Sequence, residues 1–156
     1  MTIAYRAIGQ VHLDQQHAFI EIAPEFRPGL VGLDDFSFIH VLWQADRARP
    51  LSGDALVVSA PYRNGPERIG VFATRSPARP NPVCFTVAPL VGVDIATGRV
   101  DLAWLDCEDK TPVLDIKPYH PSADRLASAP VPDWCAAWPK SLEESGSFDW
   151  SSVFSF

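Results

Sequence analysis

Apolar and polar residues alternate with a period of two through much of the chain between residues 5 and 119, the spacing of half-buried strands. Residues 5–11 predict a first strand, with Ile8 and Val11 apolar and Gly9 permitting close backbone approach. Residues 17–23 predict a second: Ala18, Ile20 and Ile22 share one side, Phe19 and Glu21 the other, and Pro24 ends it. Only residues 13–16 separate the two, which predicts a hairpin. Residues 24–35 read as a connector, with a turn at Pro28-Gly29 and one helical turn over 30–33. Residues 36–43 are β-prone and too apolar for a sheet edge, so they predict a central strand. Residues 55–60 predict another, between polar loops at 46–54 and 61–67. Residues 82–95 carry Val83, Phe85, Val87 and Pro89 on one face. Ala96-Thr97-Gly98 then turns the chain, and 99–107 returns with Val100, Leu102 and Trp104 set against Asp101 and Ala103. Residues 111–119 form a last extended segment. With the strand that starts at Arg68, about seven strands on short connections predict an all-β barrel or sandwich.

After His120 the pattern changes. Residues 121–132 are rich in Pro, Ala and Ser. Residues 133–144 predict a short helix capped by Asp133, with Trp134 and Trp138 one turn apart. Phe148, Trp150, Phe154 and Phe156 follow, too many aromatics to stand free in water, and predict packing on the barrel or on a second copy of it. The chain thus divides into a domain over 1–121 and a tail over 122–156.

The most unusual stretch is 68–83. Ile69, Val71 and Phe72 begin it as a strand, and Pro77, Pro80 and Pro82 end it as a stiff loop, because proline fixes φ and removes a donor. Arg75, Ser76, Arg79 and Asn81 sit on that loop. Guanidinium and amide groups on a preset backbone lose less entropy on binding, so the loop predicts a polar ligand site. The plainer reading is a stiff turn with solvated arginines.

Composition narrows the choice. The 156 residues suffice for one domain with a real core, and 15 prolines argue for turns over long helices. No apolar run is long enough for a transmembrane helix, and the first residues lack a signal-peptide layout. Cys84, Cys107 and Cys135 are odd in number, with no CxxC spacing, which fits a reducing cytosol and predicts neither disulfide nor zinc. His12, His17, His40 and His120 have no metal spacing, and His40, within an apolar strand, reads as a core histidine. Cys84 and Cys107 read as small buried residues. The net charge of −6 speaks against a generally nucleic-acid-binding surface, yet the basic residues from Arg47 to Arg79 are all arginines, a local anion-attracting patch.

Asp115-Ile116-Lys117-Pro118-Tyr119 is the second unusual element. Alternation puts Asp115, Lys117 and Tyr119 on one face, either as an internal ion pair with a capping tyrosine or as part of a site shared with the proline loop. These two segments, 70–82 and 111–119, resemble the signature motifs of the TsaA-like (YaeB/TrmO-type) domain, and Ile8-Gly9, Gly29-Leu30 and Phe36-Ser37 fit its first half. The resemblance covers roughly residues 5–121. It implies a small antiparallel β-barrel that binds S-adenosylmethionine, forms a homodimer, and N6-methylates threonylcarbamoyl-adenosine beside the tRNA anticodon.

Position by position, the resemblance implies cofactor contacts from Arg75, Ser76, Arg79 and Asn81, from Val87 on the next strand, from the pair Asp46 and Arg47, and from Asp109, Lys110, Thr111, Pro112 and Val113. Lys117 joins them through the polar cluster, and Asp115 or Tyr119 would assist proton removal. The two motifs are expected to be two walls of one pocket. The sequence departs from the family in places. A basic loop between the first two strands is reduced to residues 13–16, Val83-Cys84-Phe85 stands where Ile-Gly-Leu is usual, and Lys110 replaces a glycine. A methyltransferase is the leading reading. A ligand-binding module that keeps barrel and dimer without catalysis is the alternative, and a plain anion-binding protein is third.

Overall fold

A computed structural model of the chain describes residues 3–14 and 17–155. Six strands close an antiparallel barrel in the order β1-β2-β7-β6-β3-β8. They are β1 (Gly9–Leu13), β2 (Ala18–Ile22), β3 (Phe38–Gln44), β6 (Val83–Asp94), β7 (Arg99–Leu102) and β8 (Pro112–Pro118). The remaining two, β4 (Val57–Ser59) and β5 (Arg68–Gly70), pair only with each other as a ribbon outside the barrel. Both were expected within a single array of about seven strands. No helix among the described residues is long and apolar enough to cross a membrane.

The first hairpin forms as the alternation predicts, with Val11 opposite Ile20 and Gly9 opposite Ile22. A Cβ on Gly9 would stand 2.4 Å from the Glu21 carbonyl oxygen, so only glycine allows this approach. The predicted turn includes Gln15 and Gln16, which lie outside the described residues. The connector folds as two 3-10 turns, Pro24–Leu30 and Leu33–Asp35, whose leucines Leu30 and Leu33 plug the core. Strand β3 is central as expected, bonded to β6 on one side and β8 on the other.

Strand β6 turns its smaller residues inward. Val83, Phe85 and Val87 face outward, while Thr86 and Ala88 are buried and Cys84 packs against the core. The reason is across the strand: Cys84, Thr86 and Ala88 lie opposite Trp43, Val41 and Ile39. Small residues there leave interior space for the Trp43 indole, whose Nε1 donates to Thr86 Oγ1 at 3.1 Å. Strand β7 ends at Leu102, so Trp104 is left 41% exposed, where alternation had set it with Val100 and Leu102.

Two short helices follow the barrel, α1 (Pro121–Asp124) and α2 (Leu142–Ser145). The helix expected over 133–144 is broken into a 3-10 turn at Asp133–Cys135, with Pro132 and not Asp133 at its cap, and the start of α2, because Pro139 interrupts a continuous helix. Tail aromatics pack on the loop after β4: Tyr62 stacks on Trp134 at 5.0 Å and meets Trp138 and Phe154, while Phe156 lies outside the described residues. Arg63 fixes the same contact, donating from Nε to the Phe154 carbonyl at 2.8 Å.

Candidate functional site

The proline loop takes its shape from hydroxyls and one guanidinium. After a 3-10 turn at Val71–Ala73, Thr74 Oγ1 donates to the Val71 carbonyl at 2.9 Å and accepts from Ser76 N at 3.3 Å. Ser76 Oγ in turn accepts from Ala78 N at 3.2 Å. Arg79 turns inward: its Nη1 donates to the carbonyls of Val71 at 3.0 Å, Thr74 at 2.9 Å and Ser76 at 3.4 Å. Arg79, predicted as a ligand contact, thus staples the loop and also lines the cleft beside it. Arg75 points the other way. It is exposed, with its guanidinium 4.7 Å from the centre of the Phe85 ring.

Between this loop and the start of β6 lies an open cleft of about 570 Å³. Arg75, Ser76 and Phe85 line one side, and Asp106, Cys107 and Glu108 the other. No motif marks the acidic segment in the sequence, where Cys107 reads as a small strand residue. Burial is the largest influence on the Cys107 thiol and pushes it up to about 11, and burial raises Cys84 as well, against the opposing pull of Arg79 and Arg75.

The segment 109–113 divides. Arg47 holds its start, with the guanidinium against the Glu108 carboxylate and Nη2 donating to the Asp109 carbonyl at 3.1 Å. Asp109 Oδ1 accepts from Leu13 N at 2.9 Å, the main cause of its lowered pKa. Lys110 adopts φ +69°, a conformation that glycine reaches without strain, and its Nζ meets His12 Nδ1 at 2.8 Å. Thr111 and Val113 are buried in the barrel and present no side chain to a ligand outside it. Asp46 and Asn81 are exposed but do not line the cleft, and neither do Pro112 and Val87.

The second motif lies on the outer face of β8. Lys117 Nζ is 2.6 Å from Asp115 Oδ2, which raises the lysine's pKa, and Asp115 Oδ1 accepts from Ile116 N. A bulge in β8 opposite Leu42/Trp43 sets these residues outward while Val113 and Ile116 stay inward. Asp115 lines a separate groove of about 280 Å³ beside Gly29–Leu33, so the two motifs are not facing walls of one pocket. They are joined sideways instead. Phe85 of β6, His40 of β3 and Tyr119, just past the end of β8, run in a row, with ring centres 6.1 Å and 5.6 Å apart. His40 belongs to this outer face and is not the core histidine its apolar neighbours suggested.

The sequence profile of the tRNA-methyltransferase O N-terminal domain matches residues 8–125. A probable S-adenosyl-L-methionine-binding protein of Archaeoglobus fulgidus is 41% identical over 127 residues, 81% of this chain and 32% of that protein. A similarly described protein of Halobacterium salinarum is 45% identical over 101 residues, 65% of this chain and 74% of that one. The crystal structure of TrmO from Pseudomonas aeruginosa superposes with a TM-score of 0.65 at 31% identity, over 83% of this chain and 61% of that one. The chain thus spans about a third of the Archaeoglobus relative and less than two thirds of the solved structure.

Proposed function

The chain belongs to the family of the tRNA-methyltransferase O N-terminal domain, and on that premise we propose that it is an S-adenosylmethionine-dependent methyltransferase. The acceptor we assign is N6 of threonylcarbamoyl-adenosine beside the tRNA anticodon, or a related substrate. One observation carries the reading: the proline loop folds into the wall of the 570 Å³ cleft and turns Arg75 toward it.

The side chains around the cleft suit the cofactor's chemistry. Arg75 has no hydrogen-bonded partner among the described residues and offers a planar fork to a carboxylate. Phe85 offers a ring face for a flat base or a cation, and Asp106 brings negative charge for an ammonium or sulfonium group, Glu108 being paired with Arg47. When bound, S-adenosylmethionine supplies a methyl group on positively charged sulfur, open to in-line displacement. The protein's share is to hold the two reactants aligned and to accept a proton. The Thr74–Arg79 bonding fixes the loop beforehand, so little order is lost on binding.

Calorimetry with S-adenosylmethionine tests the reading, with saturable heat expected. No heat and no thermal shift at millimolar ligand would sink it. Nucleosides from tRNA of a deletion strain, analysed by mass spectrometry, then decide the acceptor, with loss of the N6-methyl mark expected. A homodimer belongs to the same reading, and the exposed apolar side chains Phe38, Phe72 and Val83 support it. Light scattering giving a monomer's mass would remove it.

A further inference from the structure

His40 stands in the middle of the row that joins the two motifs. On β3 it lies opposite Val87 of β6 and Lys117 of β8, with its ring between those of Phe85 and Tyr119. Its side chain is 17% exposed. Nε2 is sealed from solvent and makes no hydrogen bond, a state that costs about 1–3 kcal/mol for a neutral polar atom and calls for an explanation. Asp124 Oδ2 lies 3.2 Å from it, at ion-pair distance. Asp124 is itself anchored on α1, where the same oxygen accepts from His120 N at 2.7 Å. That bond is the main cause of its lowered pKa, so the carboxylate is charged beside the imidazole. Nδ1 is the ring nitrogen left unsealed, with no protein partner among the described residues.

We propose that His40, oriented by Asp124, is the proton acceptor for methyl transfer at this outer face. The inference rests on the methyltransferase reading above. In the neutral ring, Nε2–H faces Asp124 and the Nδ1 lone pair is free. A small ring rotation aligns Nε2 with the carboxylate, an adjustment common when an active site fills. The acceptor nitrogen then forms a bond to the methyl carbon as the carbon–sulfur bond breaks and its electrons return to sulfur. The proton leaving nitrogen goes to Nδ1, and Asp124 stabilises the resulting imidazolium. Asp115, the other carboxylate candidate, is less available, because it is paired with Lys117 and lines the second groove. The groups facing the ring are the Asp124 carboxylate, the Lys117 ammonium, the Tyr119 phenol, and the apolar Phe85 and Val87.

The test uses the full chain in two arms. Nitrogen-15 NMR of histidine-labelled protein should find neutral His40 protonated at Nε2, with its signals moving when S-adenosylmethionine is added. Protonation at Nδ1, or no response to the cofactor, overturns the proposal without any variant. In the second arm, tritiated methyl transfer to tRNA from a strain lacking the endogenous methyltransferase is followed against pH. His40→Gln keeps a donor toward Asp124 but takes no proton. It should bind S-adenosylmethionine within about twofold of wild type and transfer about a hundredfold more slowly. The rise of the wild-type rate with pH should vanish in this variant and move in Asp124→Asn. Normal cofactor heat with an unchanged His40→Gln rate overturns the role of His40 alone. Absence of heat from the wild type overturns the methyltransferase reading and this inference with it. Heat without transfer by the wild type removes the tRNA acceptor, and the NMR arm then decides for His40.

Discussion

Two arginines four residues apart on the proline loop should behave differently when removed. Arg79 Nη1 serves three carbonyls, but a nitrogen with two hydrogens makes two full bonds, so the 3.4 Å contact to Ser76 is discounted. A hydrogen bond from a charged donor contributes about 1.5–3 kcal/mol, and two of them, halved for partial exposure, give about 2 kcal/mol. Arg79→Ala should therefore open the loop about thirtyfold more often. Arg75 makes no such bonds, and losing its stack on Phe85 costs about 0.5–1 kcal/mol. Hydrogen exchange read by mass spectrometry on a peptide covering 71–80 separates the two. The Ser76 and Ala78 amides, bonded to Thr74 Oγ1 and Ser76 Oγ, should exchange much faster in Arg79→Ala and nearly as in wild type in Arg75→Ala. Calorimetry should show the complement: Arg75→Ala weakens S-adenosylmethionine about tenfold with the loop intact. Unchanged exchange in Arg79→Ala, or equal effects of the two substitutions, would refute the division of roles.

Lys110→Gly should raise stability by about 0.5–1 kcal/mol in urea unfolding, because φ +69° strains a side-chain-bearing residue; a lower midpoint would count against it. Gly9→Ala should cost about 3 kcal/mol, since the new methyl meets the Glu21 carbonyl at 2.4 Å and the seam between β1 and β2 must part. Cys107, with its thiol at about 11, should resist iodoacetamide at pH 8 in the native protein. Its folded pKa lies above the unfolded value of 9.0, so the stability it contributes is present below pH 9 and lost as pH rises through about 11; alkaline urea titrations of wild type and Cys107→Ser should converge there. Trp138→Ala should loosen the tail by about 2 kcal/mol, as for a half-buried indole, and limited proteolysis should cut residues 122–155 sooner while the barrel survives.

Much of the barrel is legible in the chain because strand alternation and turn chemistry are local properties. The first hairpin, the central strand β3, and the β6–β7 hairpin follow from residues within reach of one another. The proline loop stands out in the chain because three prolines and two arginines in close sequence have few structural uses. What alternation leaves undecided is which face turns inward. Strand β6 is apolar on both, and the choice fell to Trp43 on another strand, which needs Cys84, Thr86 and Ala88 beside it. That choice exposes Phe85 and makes it part of the cleft. The bulge in β8 is equally invisible, yet it separates the buried Val113 from the outward Asp115, Lys117 and Tyr119. Two arginines with the same local chemistry part company because Arg79 finds three carbonyls and Arg75 finds an aromatic ring. The sequence alone determined the family, the strands and the two motifs, since each rests on neighbours along the chain. Tertiary structure decided that the motifs meet through His40 on one outer face, because barrel closure brings together strands that lie far apart in the sequence.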